Sequence, residues 1–288
     1  MFGIIGTIPD NNFPLVTGMV QVKGDRLFVD SKSVPVNRGT PALIAAAVET
    51  LKYLEQPNPY CYLVGDIGDG EGCKRLYSHL ADNLSRTKMQ TIAFHYYQPD
   101  VGWFKKVVEE IKKIDVRPVL IADAGFMYVA KMAGNAAFFD LFTPDAGELA
   151  YLADEKAPHP FYTRGFILHD ENQVPDLIKR AYRYNNAAKY LLVKGVTDFI
   201  ADQNGVIATV DSPSEEALEP IGGTGDTLTG IAAALIASGI DIKKASIYAA
   251  RVNRTAGAYA APNPATQVYE IIKQIPRALS EVLDDRQW

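Results

Sequence analysis

The feature that most constrains the fold is a repeated alternation of short β-rich runs with longer helical patterns. Residues 60–64, 91–94, 118–122, 138–143 and 190–193 are short apolar runs that meet Gly, Asp or Pro within a few residues. Between them, residues 75–84, 101–114, 126–132 and 174–184 repeat apolar side chains three and four apart, as one face of a helix requires. A βαβα chain of this kind predicts an α/β fold with a mainly parallel sheet covered on both faces, in which ligands bind at the carboxyl ends of strands.

The N-terminal part departs from this plan. Residues 19–22 and 26–29 flank Lys23-Gly24-Asp25 as the arms of a hairpin would, so residues 1–36 read as a small β extension or lid. No Gly/Ser-rich or Pro-rich linker, internal repeat or low-complexity tract divides the chain, and 288 residues fit one domain spanning 1–288. The clearest loop insertion is 155–163, where Pro158 and Pro160 bracket His159.

Composition removes several classes of function. Hydrophobic residues make up 48% and charged residues 22%, enough apolar material for a substantial core and too much for a mainly disordered chain. With 29 Lys and Arg against 34 Asp and Glu the net charge is -5, and there is no basic block. Such a chain has no general field to hold nucleic acid or an anionic membrane, so any anionic ligand has to be caught locally. The opening residues lack the basic and apolar regions of a signal peptide, and the longest apolar stretch, 231–240, falls far short of the roughly 20 residues a bilayer demands. Cys61 and Cys73 are the only cysteines, without a C-x-x-C, which suggests neither a disulfide framework nor a zinc site. The expected setting is the cytoplasm.

Chemistry concentrates in one segment. Gly222-Gly223-Thr224-Gly225-Asp226-Thr227-Leu228-Thr229-Gly230 is a glycine-rich turn leading into an alanine-rich apolar run. Glycines let backbone N–H groups converge on an anion, and the exposed N–H groups and dipole of a helix N-terminus favour negative charge there. An aspartate beside that anion can orient and deprotonate a hydroxyl while the N–H groups stabilise a transferring phosphoryl group. Thr224 and Asp226 are equally good residues for an ordinary helix cap, so the turn alone leaves both roles open. The P-loop pattern G-x-x-x-x-G-K-[ST] and the strand-G-x-G-x-x-G-helix fingerprint are both missing, which disfavours a P-loop ATPase and a dehydrogenase.

Taken with its neighbours, this segment resembles the ribokinase-like superfamily, whose G-x-G-D signature opens a late helix as Gly223-Thr224-Gly225-Asp226 does. Thr143-Pro144-Asp145-Ala146-Gly147-Glu148 resembles the superfamily's T-P-x-x-x-E element, and Lys194-Gly195 followed by 199–202 resembles its K-G strand pair. Within the superfamily the chain is similar to the ADP- or ATP-dependent NAD(P)H-hydrate dehydratases, also grouped with carbohydrate kinases. Ile121-Ala122-Asp123-Ala124, Lys23-Gly24-Asp25 and Arg38-Gly39-Thr40-Pro41-Ala42 add to that likeness.

The resemblance implies a three-layer α/β/α sandwich, ATP or ADP and Mg²⁺ as cofactors, a small-molecule acceptor, and a homo-oligomer. It implies Asp226 as catalytic base, with the N–H groups of Gly223, Thr224 and Gly225 as an anion hole. Lys194, Gly195 and Asn253 fall on the nucleotide side, Glu148 and Asp145 near Mg²⁺, and Asp123, Gly39, Thr40 and His95 near the acceptor. Local alternatives stand beside these roles: a helix cap for Asp145, an acidic first helical turn for Glu148, a solvated strand-end lysine for Lys194, and a turn residue for Asp123.

Two departures bear on the acceptor. The dehydratases usually have His where Asp145 stands, and a glycine-rich turn where this chain has Phe94-His95-Tyr96-Tyr97-Gln98-Pro99. Leu63-Val64-Gly65-Asp66-Ile67-Gly68-Asp69-Gly70-Glu71-Gly72 resembles a sugar-kinase segment instead. Three outcomes therefore remain open: a dehydratase, a sugar or hydroxymethylpyrimidine-type kinase, and a nucleotide-binding protein without turnover.

Overall fold

The apolar runs become strands wherever no charged side chain interrupts them. The computed structural model of the protein describes residues 1–159 and 173–284, and the 155–163 insertion lies outside them from residue 160 onward. In chain order the strands are β1 (Phe2–Ile8), β2 (Val16–Lys23), β3 (Arg26–Val29), β4 (Lys32–Pro35), β5 (Tyr60–Gly65), β6 (Thr91–His95), β7 (Val119–Ala122), β8 (Leu141–Phe142), β9 (Tyr190–Val193), β10 (Asp198–Asp202) and β11 (Gly205–Val210). The helices are α1 (Thr40–Tyr53), α2 (Glu71–Asn83), α3 (Val101–Lys112), α4 (Phe126–Met132), α5 (Ala146–Ala153), α6 (Val174–Arg183), α7 (Thr224–Ala237), α8 (Ile242–Ala260), α9 (Val268–Ile272) and α10 (Ile275–Asp284). The architecture is the expected α/β type, a mixed sheet whose central strands are mostly parallel, with helices flanking it.

The chain divides into two compact units. The first comprises Met1–Ile4, Val16–Tyr62 and Val210–Trp288, and the second comprises Ile5–Leu15 and Leu63–Thr209. In the second unit the strands run in the order β11-β10-β9-β8-β7-β6-β1-β5. β6, β7, β8 and β9 pair in parallel, while β10 folds back antiparallel on β9. Phe94, Phe104, Phe126, Phe139 and Phe142 are fully buried here, and the rings of Phe94 and Phe126 stack at 4.0 Å. Each such ring stabilises the fold by roughly 1.5–3 kcal/mol.

In the first unit β2 and β3 form the hairpin that the pattern predicts, with Lys23 opposite Arg26, and β4 adds a third antiparallel strand beside β3. Helix α1 packs on α7, and both bury nearly every residue, so neither shows a marked polar face. Gly230 makes their contact close: a Cβ there would stand 2.2 Å from the Leu43 carbonyl oxygen.

Two expectations change. Residues 138–143 are not one strand, since only Leu141–Phe142 is extended and 136–138 form a 3₁₀ turn. Asp140 interrupts the apolar run: its carboxylate accepts the Leu120 N–H at 2.8 Å and pairs with Arg117 and Lys189, each at 2.8 Å, while its own N–H donates to the Leu120 carbonyl at 2.9 Å. β1 was not expected: it is fully buried and stands between β6 and β5, so the antiparallel extension begins at β2. Among the described residues no helix is long and apolar enough to cross a membrane.

Candidate active site

In the first unit, the glycine-rich turn opens α7 as the sequence predicts, but not as an ordinary cap. Gly223 is the N-cap residue in the left-handed region, φ 106°, and no side chain caps the helix. Only glycine fits: φ is positive, and a Cβ would lie 3.1 Å from Val268 Cγ2 and 3.2 Å from Arg38 Cα. The carboxylate of Asp226 is turned toward the start of α1, where Oδ2 accepts the Gly39 N–H at 2.6 Å. Asp226 is 8% exposed and Thr40, next to Gly39, is fully buried. Asn253, reaching across from α8, donates to the Thr224 carbonyl at 3.1 Å and accepts from the Thr227 hydroxyl at 2.6 Å. Gly39, Thr40, Gly223, Thr224, Gly225, Asp226 and Asn253 thus converge on one helix end. Such an end, whose N-cap glycine has no side chain to cap it, suits a phosphate.

The second unit gathers the remaining candidates at the carboxyl ends of its parallel strands. Lys194, just after β9, places Nζ 2.9 Å from both carboxylate oxygens of Asp123, just after β7. Asp123 is 1% exposed, so its charge is balanced by that lysine rather than by water. His95, at the end of β6, is fully buried with Nε2 3.7 Å from Asp123 Oδ2. Gly195 turns its N–H to Asp198 Oδ1 at 3.2 Å. Lys194 is therefore not the solvated strand-end lysine that its sequence position allowed.

One turn away, Asp145 and Glu148 close a capping box on α5. Asp145 Oδ1 accepts the Glu148 N–H at 2.7 Å, and Glu148 Oε2 accepts the Asp145 N–H at 2.9 Å. The Tyr128 hydroxyl donates to Glu148 Oε1 at 2.6 Å. Burial first, and then the neighbouring charge of Asp145, push the Glu148 carboxyl up to about 8. The Lys194 N–H donates to the Pro144 carbonyl at 2.8 Å, which ties this box to the Lys194–Asp123 pair.

Sequence reasoning missed two contributors. Tyr128 sits 20 residues from Glu148 on another helix, and no local pattern marks it. Asp66 closes the 63–72 turn by accepting the N–H groups of Gly68, Gly70 and Cys73 at 2.8, 3.2 and 2.8 Å. Burial alone would raise its carboxyl, but those bonds outweigh it and hold Asp66 below the ordinary carboxylate range. The N–H groups of this turn are thereby used within the fold.

The family model described as NAD(P)H-hydrate dehydratase matches residues 99–277, well over half of the chain. The chain belongs to this carbohydrate-kinase family. Over 84% of its length and the whole length of the relative, it is 41% identical to an uncharacterized protein of Methanocaldococcus jannaschii. It is 33% identical to the bifunctional NAD(P)H-hydrate repair enzyme Nnr of Hyperthermus butylicus, over 40% of this chain and 21% of that one. The chain thus spans about a fifth of that repair enzyme.

Among solved structures, a ribokinase-like superfamily protein of Enterococcus faecalis superposes with a TM-score of 0.59 at 14% identity, covering 98% of this chain and 87% of that one. The pyridoxal kinase of Staphylococcus aureus, in complex with AMP-PCP and pyridoxal, gives 0.54 at 14% identity, covering 89% and 88%. These likenesses establish the ribokinase-like fold that the family membership predicts. Within that fold the strand-end candidates stand where sheets of this class bind ligands.

Proposed function

We propose that this family member is a nucleotide-dependent phosphoryl-transfer enzyme that repairs hydrated NAD(P)H. A phosphoryl group passes from ATP or ADP to the hydroxyl of the hydrate, inorganic phosphate leaves, a ring proton is lost, and the dihydronicotinamide is restored. The observation that carries this reading is the start of α7: N–H groups that no side chain caps, with Asp226 on the same turn and its carboxylate fixed by Gly39 at 2.6 Å.

In this reading Asp226 takes the proton from the acceptor hydroxyl as the oxygen attacks phosphorus. The N–H groups of Gly223, Thr224 and Gly225 hold the phosphoryl charge that develops. Asn253 braces the Thr224 carbonyl from α8 and, with Lys194 and Gly195, is assigned to the nucleotide. The resemblance assigns Gly39 and Thr40 of the first unit, and Asp123 and His95 of the second, to the acceptor.

Glu148 and Asp145 suit a divalent cation. Both are oxygen donors, as Mg²⁺ prefers, and burial, followed by the nearby Asp145 carboxylate, pushes Glu148 toward its acid form. Bound there through water, Mg²⁺ would supply positive charge to the phosphates. A kinase that stops at the phosphorylated alcohol is favoured by one observation: Asp145 stands where the dehydratases usually have His, and it is fixed in the capping box.

The two readings separate in one assay. With ATP or ADP and Mg²⁺, recovery of NADH absorbance from the hydrate without a stable phosphorylated product is the expected result. Phosphorylated product accumulating on a sugar or a hydroxymethylpyrimidine would establish the kinase instead, and neither activity would contradict both.

A further inference from the structure

The segment after β6 replaces a glycine-rich turn with aromatic side chains, and the structure holds one of them in an unusual state. Tyr96 has φ 50°, in the left-handed region that a bulky side chain rarely adopts. Its two neighbours are inside the protein: His95 is 0% and Tyr97 3% exposed, whereas Tyr96 is 45% exposed. The positive φ turns this one ring outward at the carboxyl end of a central strand.

Three other parts of the same unit enforce that backbone. The Thr7 hydroxyl donates to the Tyr96 carbonyl at 2.7 Å. The main chain of Tyr97 lies so close to Gly125 that a Cβ there would meet the Tyr97 oxygen at 2.0 Å. The Gln98 N–H points to Cys73 Sγ at 3.3 Å, and the Tyr97 ring is wedged between Tyr77 and Phe126 at 4.7 and 5.0 Å. A strained residue fixed from several sides belongs to those that folds maintain at binding sites. The outward ring is itself braced, since His95 packs against it at 4.2 Å and 66°.

We propose that Tyr96 is a specificity-determining residue whose ring is the surface on which an unsaturated nitrogen heterocycle of the acceptor lies. A rigid, half-exposed aromatic face rewards a flat partner through stacking and gives little to the puckered ring of a sugar. Nicotinamide-, pyridine- and pyrimidine-type acceptors are thereby favoured over carbohydrates. The proposal rests on the acceptor entering at this strand end, as in the function proposed above.

Calorimetric titration of the full chain tests it without turnover, using NADH hydrate, pyridoxal and fructose 6-phosphate as probes and ADP as control. Because no reaction is required, failure to restore NADH and failure of this proposal give different results. Wild type is expected to bind at least one heterocycle more tightly than the sugar phosphate. Tyr96→Ala and Tyr96→Gly should weaken that binding about tenfold, the loss of one ring stack, with ADP affinity unchanged and Tyr96→Phe close to wild type. Tyr96→Gly should also raise the melting temperature by about 2–4 °C, because glycine accepts the left-handed backbone. Heterocycle affinity within twofold of wild type in both the Ala and Gly variants would overturn the proposal. So would tighter binding of fructose 6-phosphate than of both heterocycles, or no heterocycle binding at all.

Discussion

Two helix starts in this protein carry similar sequence signals and are built in opposite ways. Helix α5 begins Asp145-Ala146-Gly147-Glu148 and closes on itself, each acid accepting the other's N–H. Helix α7 begins Gly223-Thr224-Gly225-Asp226 and does not, because its acid is directed to Gly39, the residue before α1, and its N-cap glycine has no side chain. An acid near a helix start is therefore not a cap by default. At α5 the side chains satisfy the backbone, and at α7, in the function proposed above, the backbone N–H groups serve a phosphoryl group. The first group should respond to changes in charge, the second to any added Cβ.

The largest expected effect falls on α7. Gly223→Ala puts a Cβ into the left-handed N-cap and against Arg38 and Val268, and should lower kcat about 100-fold by displacing anion-hole donors. Steady-state kinetics check this, and an unaltered kcat would mean that the turn is only a helix start.

Next comes the Lys194–Asp123 pair. Lys194→Met removes the lysine that pairs with the buried Asp123 carboxylate and should cost about 3 kcal/mol of stability. The double variant Lys194→Met/Asp123→Leu should recover most of that loss in urea unfolding. A single variant as stable as wild type would return Lys194 to the role of a solvated lysine.

Glu148 predicts a smaller, pH-dependent effect. Its carboxyl lies near 8 in the fold against an ordinary 4.5, so between those values the native state holds a proton that the unfolded chain has released. Stability should therefore fall as pH rises from 4.5 to 8. Over the same interval Mg²⁺, which needs the carboxylate, should restore it increasingly. Melting curves of wild type and Glu148→Gln across this range should diverge in the absence of Mg²⁺, and parallel curves would remove Glu148 as the source. The smallest effect is expected at Tyr97, whose buried hydroxyl has no hydrogen-bond partner among the described residues. Tyr97→Phe should gain up to about 1 kcal/mol, read as a higher melting temperature.

How much of this the sequence reveals depends on whether the signal is local. The glycine turn, the hairpin at Lys23-Gly24-Asp25 and helices such as Phe126–Met132 are written in consecutive residues, and they fold where the pattern places them. β1 is harder to see, since Gly3 and Gly6 dilute its apolar run, and its burial comes from the strands on either side. In 138–143 an apolar run hides Asp140, whose partners Arg117 and Lys189 are 23 and 49 residues away. The same holds for the site. Asp226 and its turn are legible, whereas the tie from Gly39 to Asp226 and the Tyr128–Glu148 bond join residues that only the fold brings together. Lys194 illustrates the limit: its residue type and strand-end position are plain, but the carboxylate it balances lies 71 residues earlier.

The central claim is that Asp226 and the α7 turn drive nucleotide-dependent repair. It is tested most directly by following NADH absorbance from the hydrate, with ATP or ADP and Mg²⁺, for wild type and Asp226→Asn side by side, with nucleotide affinity measured on both. Wild type should restore the absorbance, and Asp226→Asn should lose at least about 1,000-fold in rate while binding nucleotide within about twofold of wild type. Equal rates for the two proteins would contradict the assignment of Asp226 as the base.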